Sequence, residues 1–145
     1  MATQSLLGID HGTKRTGFAV ADPLRITCAP LETYAGPPAG LLDHVAELLA
    51  ERDVEAFVVG LPLNMDGTEG PRCAEVRAFA ATLAARFPDV RVTFQDERLT
   101  TKAAEELLRE TGRGRRGPDR DGLAAVVLLR DWIDGGEDRG TSAGS

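Results

Sequence analysis

The chain has 145 residues, 42% of them hydrophobic and 28% charged, the balance and size of one ordinary soluble domain. Its 17 Lys and Arg against 23 Asp and Glu leave a net charge of −6, which excludes a general attraction to nucleic acid or anionic lipid, so a polyanion must be held by local features. No apolar run approaches the ~18 residues of a membrane helix, the N-terminus has no basic segment leading into a long apolar one, and Cys28 and Cys73 have neither disulfide nor zinc-ligand spacing; a reducing cytoplasm and no membrane association are expected.

Residues 5–10 (SLLGID) form a short apolar run ending in an acid, as expected of a central strand buried on both faces. After the connector HGTKRT, residues 17–22 and 26–34 read as two more strands, separated by the Asp22-Pro23 turn, so that the first three strands form a meander. Residues 39–52 place Leu41, Leu42, Val45, Leu48 and Leu49 on one helical stripe. Residues 54–61 (VEAFVVGL) are again a doubly covered strand and lead into the loop PLNMDGTEG. Pro71 suits a first helical position, and Val76, Phe79, Ala80, Leu83 and Phe87 follow at helical spacing until Pro88. Residues 90–94 alternate as a strand that runs into QDERLTT, and Thr100 or Thr101 can cap a helix through Leu108. An Arg- and Gly-rich stretch, 109–120, precedes a last helix that starts near Pro118 and carries Ala124, Ala125, Leu128 and Trp132 on one face. A domain over residues 1–134 is expected, with 135–145 as a disordered tail that has almost nothing to bury. The order of elements calls for a mixed α/β sheet with helices on both faces.

Three places combine acidity with structural definition: Asp10 at the end of the first strand, Asp96-Glu97 at the end of the last, and Asp121 in the first turn of the final helix. Sites in such sheets collect beyond the carboxyl ends of the strands, so these acids would meet if the first and last strands lie close there. Of Asp96 and Glu97 only one faces that crevice, because adjacent strand residues point to opposite sides. Three converging carboxylates repel unless a cation neutralises them, and Mg²⁺ or Mn²⁺ suits all-oxygen ligands while keeping positions for water and phosphate. Such a centre hydrolyses phosphodiesters. Each acid taken singly is more commonly a cap or turn residue; the coincidence carries the weight.

The segments GIDHGTKRTGFAVAD, VVGLPLNMDGTEGP, QDERLTT and RDGLAAVVLL occur in that order across nearly the whole chain, from about Ser5 to Ile133. In this the chain resembles the YqgF/RuvX family of ribonuclease H-like proteins, described as candidate pre-16S rRNA nucleases and Holliday junction resolvase homologues. The resemblance implies a ribonuclease H-like fold: a five-stranded mixed sheet, three strands as an antiparallel meander and two parallel, with helices on both faces. It implies an acidic metal site of Asp10, Glu97 and Asp121, and metal-dependent cleavage of a nucleic acid backbone in maturing the 5′ end of 16S rRNA. A ribosomal subunit precursor is then the expected partner.

Further candidates for nucleic acid contact are Lys14 and Arg15 in the first connector, Asn64 in the loop after the fourth strand, and Arg98 beside Glu97. The run 109–120, with Arg113, Arg115 and Arg116, sets five Arg against Glu110 and Asp119, a local +3 suited to backbone contact. His11 adjoins Asp10 and is a candidate for proton transfer, although an activated water does not require it. His44 falls on the polar side of its helix, and Trp132 and the five Phe are spaced as core rather than as a base-stacking surface. Competing readings are cleavage of four-way DNA junctions, which calls for a two-fold dimer that no evident surface provides, and a non-catalytic RNA-binding assembly factor. A monomer or weak dimer is expected. An actin-like phosphotransferase shares the DHGT loop but needs a second domain that 145 residues cannot supply.

Overall fold

The computed structural model describes residues 4–97 and 118–135, with the backbone alone for 118–121. Five strands, β1 (Ser5–His11), β2 (Thr16–Ala21), β3 (Cys28–Tyr34), β4 (Val54–Leu61) and β5 (Arg91–Asp96), form one sheet in the order β3-β2-β1-β4-β5. The β1–β2 and β2–β3 pairs are antiparallel, whereas β1–β4 and β4–β5 are parallel. This is the meander plus two parallel strands that the resemblance implies. Helices α1 (Pro38–Ala50) and α2 (Pro71–Arg86) cover one face and α3 (Pro118–Asp134) covers the other. Among the described residues no helix is long and apolar enough to cross a membrane.

β1 is central, and its alternation divides the core in two. Leu7 and Ile9 pack under Val45 of α1 and Val76, Phe79 and Leu83 of α2, together with Phe57 and Val59 of β4 and Val92 and Phe94 of β5. Leu6 points the other way, joining Val58, Ala125, Leu129 and Trp132 beneath α3. Both faces are dry, which is why β1 and β4 carry apolar runs instead of alternation. The α1 stripe buries Leu41, Val45 and Leu48, with Leu42 and Leu49 partly covered at its edges. Phe87 ends α2 as its C-cap and sets its ring against Phe57 at 5.9 Å.

Three details depart from expectation. β5 runs two residues past Phe94, so Asp96 is its last residue and Glu97 follows immediately. This extension is supported by pairing, since Gly60 and Leu61 of β4 register with Gln95 and Asp96. On α3 the covered residues are Ala125, Leu128, Leu129 and Trp132 with Val126 and Val127, while Ala124 is only half-buried. His44 lies inward of the polar side of α1: its ring rests between Phe18 and Tyr34, at 5.2 and 5.4 Å, and bonds the Glu32 carbonyl through Nε2. The expected helix through Leu108 lies outside the described residues, as do the Arg-rich run up to 117 and the tail beyond Gly135.

Gly8 sets the distance between β1 and α3. A Cβ there would stand 2.6 Å from Leu129 Cγ and 3.1 Å from the Ala125 carbonyl oxygen, so only glycine lets the helix lie this close. Gly8→Ala is expected to destabilise the fold by about 1–3 kcal/mol in urea denaturation, the usual scale of overpacking. Leu129→Ala opens room for the added methyl, so the double variant should lose less than the sum of the two single ones.

Candidate active site

Asp10 inherits its direction from Leu6 and Gly8. Even-numbered residues of β1 face α3, so Asp10 emerges on that side at the carboxyl end of the strand, half-buried. The β1–β4 register pairs Ile9 with Val59, which brings Gly60 level with Asp10. On β5, Phe94 belongs to the opposite face, and so by alternation does Asp96, while Glu97 returns to the α3 face. Of the two adjacent acids, Glu97 is therefore the one on the side of Asp10.

Glu97 does not extend into solvent along the strand axis. Its side chain folds back over Gly60, where a Cβ would stand 2.7 Å from Oε1 and 3.0 Å from the carboxyl carbon. The residue as a whole keeps an exposed surface, but the carboxyl itself is its crowded end. Loss of hydration there, followed by the Asp10 charge and a hydrogen bond between the two carboxyls, raises the Glu97 pKa to about 7. Arg72 works in the opposite direction from across the strand end, and Asp96 adds to the rise. Two carboxyls therefore share one site, joined by a hydrogen bond, and Glu97 keeps its proton to far higher pH than an ordinary carboxyl.

Asp121 lies in the first turn of α3, one helical turn ahead of Ala125, whose carbonyl approaches Gly8. Its side chain lies outside the described residues, and among those described no group of three or more His, Cys, Asp and Glu residues is placed to hold a metal ion. Arg98, Arg113, Arg115 and Arg116 also lie outside them.

His11 faces away from the acidic pair. Its ring stacks on Phe79 of α2 at 4.2 Å, and Nδ1 meets the Thr16 hydroxyl at 3.0 Å. Burial, and then the charge of Arg72, hold its pKa below the ordinary value. Adjacent strand positions thus separate His11 from Asp10 by the full sheet, which removes the expected proton-transfer role. Lys14 and Arg15 lie on the connector between β1 and β2, a turn closed by the Gly12 amide donating to the Arg15 carbonyl at 2.9 Å. Asn64 is absorbed by its own loop: its Nδ2 donates to the Thr68 hydroxyl at 3.0 Å, and its backbone bonds Gly67 and Thr68. The loop is tied to α2 by Glu69, whose carboxylate takes two bonds from Arg77 at 2.7 and 2.8 Å.

Two residues outside the sequence-based set matter here. Gly60 provides the space for the Glu97 carboxyl, and Arg72 bonds the His11 carbonyl at 2.6 Å while its charge reaches Glu97. A glycine interrupting an all-apolar strand was the available signal for the first. The second carried none, because Arg72 acts from a helix start distant in sequence.

A carboxyl whose folded pKa is raised binds its proton more tightly in the native state than in the unfolded chain. The native state is therefore favoured at low pH, and that advantage is lost as pH rises from the ordinary carboxylate range through about 7. Metal-free protein should become less stable to urea across this window, and Asp10→Asn should flatten the dependence. Gly60→Ala should displace Glu97 from Asp10 and return its pKa toward the ordinary value, which carboxyl-detected NMR titration measures.

The comparisons with known proteins agree with this architecture. The family model for RuvX, described as a Holliday junction resolvase, matches residues 4–135. A protein of Ruegeria pomeroyi named "Putative pre-16S rRNA nuclease" is 44% identical over 133 residues, covering 90% of this chain and 86% of its own. One of the same name from Pelotomaculum thermopropionicum is 41% identical over 133 residues, covering 89% and 86%. Among solved structures, Thermus thermophilus RuvC in complex with a Holliday junction substrate matches with a TM-score of 0.63 at 21% identity, covering 96% of this chain and 99% of that one. Fowlpox virus resolvase with Holliday junction DNA gives 0.55 at 10% identity, covering 90% and 97%. The solved structures are alike in fold; the family match and the sequence relatives go further, and by them the chain belongs to the RuvX family.

Proposed function

We propose that this protein is a metal-dependent endonuclease that hydrolyses phosphodiester bonds of structured nucleic acid, acting in the cytoplasm on the 5′ end of pre-16S rRNA within a ribosomal subunit precursor. The observation that carries the reading is the paired carboxyls of Asp10 and Glu97 at the carboxyl ends of β1 and β5. Family membership and relatives named for pre-16S rRNA cleavage support the substrate.

The donor set fits a hard divalent cation: two crowded carboxyls, one of them kept from ionising readily by lost hydration and the charge of the other, all ligands being oxygen. Asp10 and Glu97 would hold Mg²⁺ or Mn²⁺ with Asp121 as third ligand, and the bound cation would supply Lewis acidity for an attacking water and the leaving oxygen. Of the protein's own groups, Asp10 is fixed by the rigid central strand and Glu97 by the cradle at Gly60, so little reorganisation is needed on loading. The proton that Glu97 retains must leave for both carboxylates to act as ligands, so cation affinity should rise with pH up to about 7 and level above it. Lys14 and Arg15 on the β1–β2 connector, with Arg98, Arg113, Arg115 and Arg116, would meet backbone phosphates, which is how an acidic chain of net charge −6 retains a polyanion. Asn64 would contribute by keeping its loop in shape. The protein would act as a monomer or weak dimer.

The family model's description as a Holliday junction resolvase favours a second substrate, four-way DNA junctions, at the same acids. Purified protein should cleave precursor rRNA in Mn²⁺ or Mg²⁺ and stop on chelation. Asp10→Asn and Glu97→Gln should each lower the rate by more than ~100-fold, beyond the ~10–100-fold typical of outer-shell changes. Junction cleavage in place of RNA cleavage would move the substrate to DNA. RNA binding indifferent to chelation, with no cleavage of either, would overturn the enzymatic reading in favour of an assembly factor.

A further inference from the structure

On the α1 and α2 side of the same strand end, a cavity of about 170 Å³ opens beneath the β1–β2 connector. Its charged walls are Lys14, Arg15 and Arg72 against the single carboxylate of Glu75, with the neutral faces of His11 and Tyr34 between them. Arg72 is fixed in place, paired with Glu75 and bonded to the His11 carbonyl at 2.6 Å. Lys14 has no ion pair among the described residues. Positive charge therefore exceeds negative inside a concave site on a protein whose net charge is −6.

Size narrows the ligand. The space is below the ~300–1,000 Å³ of pockets that take whole drug-sized molecules. It is on the scale of one tetrahedral oxyanion with its attached groups. Position narrows it again. His11 and Asp10 are neighbours on β1 with opposite directions, so a chain crossing the strand end meets the acids on one side and the cavity on the other. Arg72 reaches both, through the His11 carbonyl and through its field at Glu97.

We propose that this cavity is a phosphate subsite, taking a backbone phosphate of the substrate strand near the one attacked at Asp10 and Glu97. Lys14 and Arg15 supply mobile and planar donors from the connector, Arg72 supplies a fixed one, and Glu75 holds Arg72 in register rather than opposing the ligand. The nuclease reading is presupposed only for the source of the phosphate, so binding and catalysis fail separately.

The first arm uses inorganic phosphate, titrated into metal-free ¹⁵N-labelled protein. Amide shifts confined to residues 12–16 and 72–75 are expected, weakened about tenfold or more by Lys14→Glu and by Arg72→Gln, and retained in Asp10→Asn. Lys14 is exposed, so its variant remains a fair test should Arg72→Gln unfold. Shifts elsewhere, or shifts indifferent to Lys14→Glu, would overturn the subsite. The second arm measures binding of Asp10→Asn protein to a short RNA as salt is varied. Adding Lys14→Gln should reduce the slope of log K against log[salt] by about 0.7–0.9, one phosphate contact. Phosphate binding in the cavity with an unchanged slope would assign it to free phosphate and overturn the strand assignment.

Discussion

Two carboxyls held side by side where lost hydration and mutual repulsion oppose ionising both is the constraint around which the carboxyl edge of this sheet is arranged. The pair is unfavourable on its own, since lost hydration at Glu97, and then the like charge of Asp10, work against ionisation. It persists because the backbone over-determines it. Asp10 is carried by the central strand between β2 and β4, and Glu97 is folded over a strand position that has no side chain. A structure that only needed acids at its surface would let them separate into water.

The two-residue period of β1 accounts for how the edge is divided. Asp10 falls on the α3 face with Glu97, and His11 falls on the α2 face against Phe79. One strand end therefore presents acids on one side and a basic concavity on the other, with Arg72 between them. The acidic side suits a cation and the basic side suits a phosphate, which is the charge pattern expected where a polyanion is held by a chain that carries a net negative charge.

Much of this was legible in the residues. The apolar runs of β1 and β4, the Pro-initiated helices and the order of elements lead directly to a mixed sheet covered on both faces, since unbroken hydrophobic runs have no other stable use in a domain of this size. The strand-end acids were legible as candidates, but the choice between Asp96 and Glu97 was not. It depends on where β5 ends, and the segment 90–94 hides two further residues of pairing to β4 that polar Gln95 and Asp96 do not advertise. His11 and His44 were misplaced for a related reason. Sequence adjacency to Asp10 says nothing about the face of a strand, and a polar residue on a helix edge can still be enclosed by rings from elsewhere, here Phe18 and Tyr34. Arg72 was invisible because its bond to His11 joins positions 61 residues apart.

The central claim is that Asp10 and Glu97 form the core of a single cation site. Crystals grown in Mn²⁺ near pH 8, with anomalous scattering recorded at the manganese edge, test it most directly. The account predicts an anomalous peak within coordination distance of both carboxylates over Gly60, lost in Asp10→Asn crystals grown alongside. Both carboxylates well ordered at saturating Mn²⁺ with no peak between them, or a peak bound elsewhere and indifferent to Asp10→Asn, would contradict it.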